Sequence, residues 1–485
     1  MSLKQKTIQS LFWSAVQNWG SQAGSLIVFV VLARLLQPEA FGLIALSNVF
    51  INFMQILPDQ GFTPALIQRL ELEQEHLDTA FWSQLIGSII LVVITLITAG
   101  LIADIFKQPE LKLLLPVLSI VLIFHALFSV QKAILKRQFN FQSLAARSII
   151  GIVVSGVVGI VMALNGLGVW SLVGQQITFE LVGIIVLWKV SDWQPSFKFS
   201  IQHFWQLYHF SIHLLAFHLL SFLSSRTDNL LVGYYFGGRI LGYYAIAHRI
   251  LQVMFQLIAI TSYEVALPTF SRLQTDFERF RQVFYQASQF TGLIVVPVFL
   301  GLAVLTPELL VILFGKQWEP SIPILQVLTF TGMIASLLSL NESVLTALGK
   351  PDWRFRIGLF NSILMVITCL IAVRWGIIAV SLASVISYCV TFPISLWAIN
   401  QLIQVPLFLY LQQFRLAIVA TLSMICFILI TQYFLDGFPL NLITLVFRVC
   451  VGIMTYFLTV WLIAPEMLQK LVGLINLVGS KSPKS

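Results

Sequence analysis

Fourteen apolar stretches follow one another along this chain, and the connections between them run to eighteen residues at most. A helix needs about 20 predominantly apolar residues to cross a bilayer. The stretches lie near 10–34, 40–60, 79–103, 112–133, 144–165, 168–189, 207–235, 239–267, 284–306, 321–347, 355–375, 377–399, 411–434 and 440–463. No connection is long enough to fold as a domain, so whatever the protein does must be built from the spans themselves.

Composition agrees. Only 10% of the residues are charged and 58% are hydrophobic, with a mean hydropathy of +0.92. A soluble domain carries roughly 25% charged residues, so charge here is too sparse to cover a water-facing surface. Lipid is therefore the solvent for most of the chain. The net charge of +8 is spread over short loops and does not point to nucleic acid. The first apolar run, preceded by Lys4 and Lys6, reads as an uncleaved first helix, with Ser2 to Gln9 at the interface. Cys369, Cys389, Cys426 and Cys450 all sit in apolar runs, without C-x-x-C spacing or neighbouring histidines, and read as small hydrophobes. No metal and no cofactor is expected. The absence of a G-x4-G-K-[ST] run excludes nucleotide hydrolysis by a P-loop in this chain.

An even number of crossings puts both termini on one side. With the N-terminus inside, nineteen Lys and Arg fall at cytoplasmic segments and helix ends, six fall outside, and Arg226, Arg249 and Arg448 lie within spans. Basic residues are retained on the cytoplasmic side, so both termini are expected there. The charged run Glu71, Glu73, Glu75 is then cytoplasmic and reads as a solvated face.

The chain also echoes itself at an offset near 200. Leu35 to Ala45, which contains Pro38 and Gly42, resembles Tyr235 to Ala245, which contains Gly238 and Gly242. Each is a helix ending, a tight turn and a new helix opening on Gly-x-x-Ala. Pro64 to Arg69 parallels Pro268 to Arg272, and Gly168 parallels Gly376. Three echoes in one order suggest two parallel six-helix repeats, related by an axis along the membrane normal. The expected organisation is an N-terminal lobe at 1–195, a second lobe at 196–402, and two further helices with a tail at 403–485. The fold class is all-α and polytopic, about fourteen transmembrane helices, with two six-helix lobes around a central cavity. Pro58, Pro116, Pro297 and Pro393 interrupt spans, and Gly151, Ser155 and Gly159 form a small-residue seam in the fifth.

Polar side chains at membrane depth mark functional sites or internal pairs, because a mid-bilayer charge costs at least about 2.5–3.5 kcal/mol. His218, Ser221, Ser225, Asp228 and Asn229 share one face of the seventh span, with Arg226 beside it. His248 and Arg249 lie near mid-depth in the eighth. Glu180, Glu342 and Asn52 are further candidates for coupling or for lining a cavity. Two readings stay open for Arg226 and Asp228: a local pair holding the helix, or groups facing a cavity. Both protonated, inert and functional readings stay open for Glu180 and Glu342. His209, His213 and His218 read as interface histidines.

Phe222 to Gly233, followed by Leu241 to Arg249, resembles the signature of bacterial polysaccharide transport proteins. Pro268 to Gln274, Pro307-Glu308-Leu309, Leu313-Phe314-Gly315, Trp318, Gly166 to Val173, and Ala33 to Gly42 are similar to that family too. The resemblance covers most of residues 1–330 and little beyond 400. It implies the oligosaccharide flippase branch of the multidrug, oligosaccharidyl-lipid and polysaccharide exporter superfamily. Such a protein translocates undecaprenyl-diphosphate-linked repeat units across the bacterial inner membrane, for O-antigen, capsule or exopolysaccharide assembly. It is not an enzyme. Its partners would be that lipid-linked oligosaccharide, membrane lipids, and a polysaccharide polymerase with export machinery. His248 departs from the Tyr common at this position in the family. Substrate binding is expected at Arg226, Arg249, Asp228, Asn229 and His248, because a guanidinium fork matches phosphate oxygens.

Two rival classes remain. A multidrug-type, ion-coupled exporter of small organic compounds would favour carboxylates over arginines in the cavity. A polysaccharide polymerase or ligase would need a catalytic constellation in a sizeable outer loop. The topology itself is directly testable. Single cysteines replacing Gln108 and Gln317 should react with a membrane-impermeant maleimide in intact cells, and one replacing Gln274 should not. Labelling at position 274 would overturn the orientation.

Overall fold

A computed structural model of the chain describes residues 3–59, 62–69, 72–434 and 441–467. The side chains of residues 3–12, 14–16, 207, 209–221, 223–225, 259–262 and 264–265 lie outside the description. Among the described residues there is no strand. The α-helices are α1 (Leu3–Leu35), α2 (Pro38–Asp59), α3 (Phe62–Gln68), α4 (Gln74–Phe106), α5 (Leu111–Arg137), α6 (Phe141–Leu164), α7 (Val169–Val190) and α8 (Ile201–Phe255). They continue as α9 (Thr261–Ser271), α10 (Phe277–Phe314), α11 (Ile322–Ala347), α12 (Pro351–Ala372), α13 (Ile377–Ile403), α14 (Leu407–Gln412), α15 (Arg415–Phe434) and α16 (Leu442–Ile463).

Eleven helical segments of the described chain are long and apolar enough to cross a membrane. The remaining three expected crossings correspond to α1 and to the two limbs of α8. At about 1.5 Å per residue, a 55-residue helix is far longer than a hydrocarbon core of about 30 Å. The helix is divided at Gly237, with φ 80 and ψ 179, a conformation a residue with Cβ rarely adopts. That break falls where the sequence places the turn between the seventh and eighth spans. Gly168 and Gly376, echoes in the two repeats, also take positive φ, 54 and 98, each immediately before a helix.

The chain forms two compact units, residues 1–246 and 247–485. In the first, apolar side chains point outward in numbers no water-soluble protein shows, with Ile97 76% exposed. Hydroxyls and amides are buried instead, among them Ser47, Gln84, Ser119, Ser129 and Gln131. Many buried hydroxyls in both units donate to the carbonyl one turn back, as Thr95 does to Leu91 at 2.7 Å and Ser288 to Phe284 at 2.8 Å. That satisfies a polar group where no water is available. The seam in α6 is buried at Gly151, Ser155 and Gly159. A Cβ at Gly151 would meet the Phe179 ring at 3.0 Å, and one at Gly159 would meet Gln175 at 3.0 Å. The small residues are what let α6 and α7 approach. Pro116, Pro297 and Pro393 lie inside helices that continue well past them, whereas Pro58 stands one residue before the end of α2 at Asp59.

A tight backbone approach in the first unit joins the two echoed segments. A Cβ at Gly42 would overlap the carbonyl oxygen of Gly238, and one at Gly242 would overlap the carbonyl oxygen of Pro38. Residues 38 and 42 of α2 thus meet residues 238 and 242 of the second limb of α8, each glycine facing the partner segment's first turn. The symmetry of the contact matches the sequence offset of 200.

In the second unit, α10, α15 and α16 share a core of Leu293, Val296, Leu305, Ala420, Met424 and Ile428, with Tyr456 donating to the Leu293 carbonyl at 2.7 Å. This core anchors the last two crossings.

Gly42→Ala and Gly242→Ala are each expected to lower the thermal unfolding midpoint of the purified protein, because the clashing atoms are backbone. Gly100 has nothing within 4 Å of an added Cβ. Gly100→Ala should raise stability slightly, by about 0.5–1 kcal/mol. Equal midpoints for Gly42→Ala and the unsubstituted protein would show that the crossing is not as tight as described.

Candidate functional site

The end of the first limb of α8 carries the polar cluster singled out by the sequence. Asp228 is 3% exposed and Asn229 is 4% exposed. A carboxylate this deep needs donors, and it has them. Asp228 Oδ2 accepts from the Tyr244 hydroxyl at 2.6 Å, and Oδ1 accepts from the Asn229 backbone N–H at 2.7 Å and from its Nδ2 at 3.3 Å. Tyr244 is fully buried on the second limb. The Asp228–Tyr244 bond therefore ties the two limbs together across the break at Gly237.

Arg226 is half-buried, and among the described residues it forms no ion pair with Asp228. The local-pair reading is thus not the arrangement seen. His248 and Arg249 lie on the second limb in the second unit, both half-buried and both engaged in contacts. Asn52 is half-buried on α2. The side chains of His209, His213, His218, Ser221 and Ser225 lie outside the described residues.

The two candidate glutamates are each held by an arginine within their own unit. Glu180 on α7 pairs with Arg147 on α6 at 3.1 Å. The Arg147 guanidinium lies 4.8 Å from the Phe128 ring centroid and 4.7 Å from that of Phe179, a cation between two aromatic faces. Glu342 on α11 takes two contacts from Arg354 on α12, 3.1 Å from Nε and 3.0 Å from Nη2. Arg354 also donates to the Tyr263 hydroxyl at 3.2 Å.

A further buried pair was not legible from spacing. Glu308, next to Pro307 in α10, and Arg448 of α16 form an ion pair with side chains only 6% and 7% exposed. Gln432 of α15 donates to the same Glu308 oxygen at 2.7 Å. The signal available in the sequence was that Glu308 and Arg448 are opposite charges inside or beside apolar runs. Nothing local paired them.

The model of a family described as polysaccharide biosynthesis protein matches residues 31–323. The chain belongs to that family. It is 28% identical over 346 residues to the succinoglycan biosynthesis transport protein ExoT of Rhizobium meliloti, covering 71% of this chain and 68% of that one. It is 26% identical to the lipopolysaccharide biosynthesis protein WzxC of Escherichia coli, covering 76% and 75%. It is also 25% identical to the teichuronic acid biosynthesis protein TuaB of Bacillus subtilis, covering 87% and 88%. Among solved structures, the fold is similar to the lipid II flippase MurJ in an inward closed conformation, with a TM-score of 0.77 at 18% identity over 94% of this chain and 100% of that one. A multidrug resistance MATE transporter in an inward-facing conformation is less similar, with a TM-score of 0.62 at 16% identity over 79% and 95%. The resemblance read from residues 1–330 is thus borne out at the level of the family, and so is the polytopic all-α fold. The relatives are transport and biosynthesis proteins of surface polysaccharides.

The Glu308–Arg448 pair gives a direct test of what ties α16 to α10 in this protein. Removing one partner of a buried pair costs about 3–5 kcal/mol, whereas replacing both by apolar residues is often neutral or stabilising. Arg448→Met alone should therefore markedly lower the unfolding midpoint, and the double variant Arg448→Met/Glu308→Met should recover most of it. Additive losses in the double variant would mean that the two charges act separately.

Proposed function

We propose that this protein is a flippase that moves lipid-diphosphate-linked oligosaccharide repeat units, of undecaprenyl type, from the cytoplasmic to the outer face of a bacterial inner membrane by alternating access. The observation that carries the reading is the family match over residues 31–323. The similarity of fold to a lipid II flippase supports it. Both termini are proposed to be cytoplasmic, and the working organisation is a lobe at 1–195, a lobe at 196–402 and two added helices from 403. A polysaccharide polymerase and export machinery are the proposed partners downstream.

The physics of such a cargo suits the chain. A repeat unit carries many hydroxyls, each of which loses hydrogen bonds on entering hydrocarbon. A cavity supplying Asn, Gln, Ser and Tyr replaces those bonds, while the polyprenyl tail stays in lipid. The diphosphate needs cationic donors, and Arg226 and Arg249 are the proposed ones; Asp228, Asn229 and His248 are the other residues proposed to bind cargo. Arg226 suits this role because Asp228 takes its hydrogen bonds from Tyr244 and Asn229. Glu180, Glu342 and Asn52 are proposed to serve coupling or cavity lining, with both glutamates in arginine pairs that a proton would release. Export of small organic compounds is the second reading, favoured only by the likeness to a multidrug transporter fold.

Deletion of the gene should strand lipid-linked glycan on the cytoplasmic face and remove the corresponding surface polysaccharide. Accumulation of short units on the outer face would instead indicate a polymerase or ligase. Arg226→Ala and Arg249→Ala should each abolish surface polysaccharide with near-normal protein in the membrane. Lysine at either position should restore part of it, since it keeps the charge and loses the fork. Full activity in Arg226→Gln/Asp228→Asn would remove Arg226 from the cargo path.

A further inference from the structure

We infer that the N-terminus of α4 and the head of α8 form a binding site for a single transition-metal cation of the zinc class. The site is built from Glu73, His76 and His203, with Glu75 beside them. One ligand atom from each of Glu73, His76 and His203 lies within 4.8 Å of the others. The two imidazole rings are 3.9 Å apart between centroids. Glu73 Oε2 is 3.8 Å from His203 Nε2, and Glu75 Oε2 is 3.7 Å from His203 Nδ1. These separations are beyond ordinary hydrogen-bond length. No carboxylate oxygen is bonded to an imidazole nitrogen; the Glu73 side chain instead caps α4 at the His76 backbone N–H.

The histidines are short of partners. His76 is 3% exposed, and its Nε2 makes no hydrogen bond of ordinary geometry, although the Gln206 side chain interacts with the ring and Arg69 is close enough to oppose its protonation. Its Nδ1 takes only a long contact, 3.3 Å, from the Glu73 backbone N–H. His203 Nδ1 is likewise buried without a hydrogen bond. A cation would engage those nitrogens and draw in the loose carboxylates. Two imidazoles favour zinc, cobalt or nickel over calcium or magnesium, which take oxygen ligands. Bonds of about 2.0–2.2 Å place neighbouring ligand atoms roughly 3.3 Å apart. The present spacing closes by rotation of Glu73 and His203, whose side chains are 65% and 15% exposed.

The scaffold beneath is rigid, which is what a ligand set needs. The connection from α7 to α8 is strapped to α4 by Ser196 N–H to Asp78 at 3.1 Å, Ser200 N–H to Thr79 Oγ1 at 3.1 Å, and Trp82 Nε1 to the Ser196 carbonyl at 2.8 Å. Under it lies an apolar cluster of Phe62, Leu66, Leu77 and Phe81, with Phe204 packed against it. The metal would therefore pin the head of α8, the helix that carries Arg226 and Asp228, to the start of α4. The site stands on these residues alone and does not depend on the identity of the cargo.

The test uses the full-length protein in detergent, with any affinity tag removed and metal stripped by chelator. Titration with Co²⁺, followed by its visible absorption, and with Zn²⁺, followed by calorimetry, should show one equivalent bound. His203→Ala and Glu73→Gln should each weaken binding at least about tenfold. Both positions are partly exposed, so both variants should keep the unfolding midpoint of the metal-free protein. Zn²⁺ should raise that midpoint in the unsubstituted protein and not in His203→Ala. Absence of binding overturns the inference, and so does binding that is unchanged in the two variants. Either result would leave the flippase reading untouched.

Discussion

Polar groups at membrane depth in this protein have to find partners with little help from water, and most of the architecture follows from that single constraint. Backbone N–H and C=O groups in hydrocarbon are satisfied inside helices or closed barrels, and a chain with this hydropathy and no strand among its described residues has taken the helical solution. The surface is then free to be apolar, while the interior is given over to small and hydroxyl-bearing residues. Hydroxyls such as those of Thr95, Ser288 and Thr421 bond back to their own helices. Glycine and serine on α6 replace the hydrophobic effect as a means of bringing helices together, since lipid is as apolar as leucine.

Charge obeys the same constraint more severely. Arg147 meets Glu180 between two phenylalanine rings, Arg448 meets Glu308 with Gln432 in attendance, and Asp228 takes the Tyr244 hydroxyl. These pairs differ in what they leave over. Glu308 and Arg448 neutralise each other in a closed site between α10 and α16, which fits a structural bond. Asp228 takes its hydrogen bonds from neutral donors, the Tyr244 hydroxyl and the Asn229 amides, rather than from Arg226.

The helix α8 concentrates these effects. Its break at Gly237 makes two crossings from one continuous element, and the tyrosine–aspartate bond stops the limbs from separating freely. Just beyond the break, glycine at 42 and 242 lets two backbones cross at a distance no larger side chain permits. The head of α8, where His203 sits against His76, and the arginine proposed for cargo lie on one helix. A transporter that rocks needs such elements: stiff along their length, hinged at a few residues.

The number of crossings, the turn near 237, the small-residue seam and the family signature were all legible from the chain, because each depends on local properties. Hydropathy over some twenty residues decides whether a segment enters lipid, and glycine decides where a helix can turn sharply. The echo between residues 38–42 and 238–242 was legible too, although that the echoed segments touch was not. Which charges neutralise which was decided only by the tertiary structure. Sequence proximity suggested Arg226 for Asp228, yet the bond went to Tyr244, sixteen residues on and across the break. Glu308 found Arg448, and the acidic run that read as a solvated face gathered two histidines from separate helices. The reason is physical: the penalty for burying a charge belongs to one residue and shows in its surroundings along the chain, but the group that relieves it is chosen by packing between helices far apart in sequence.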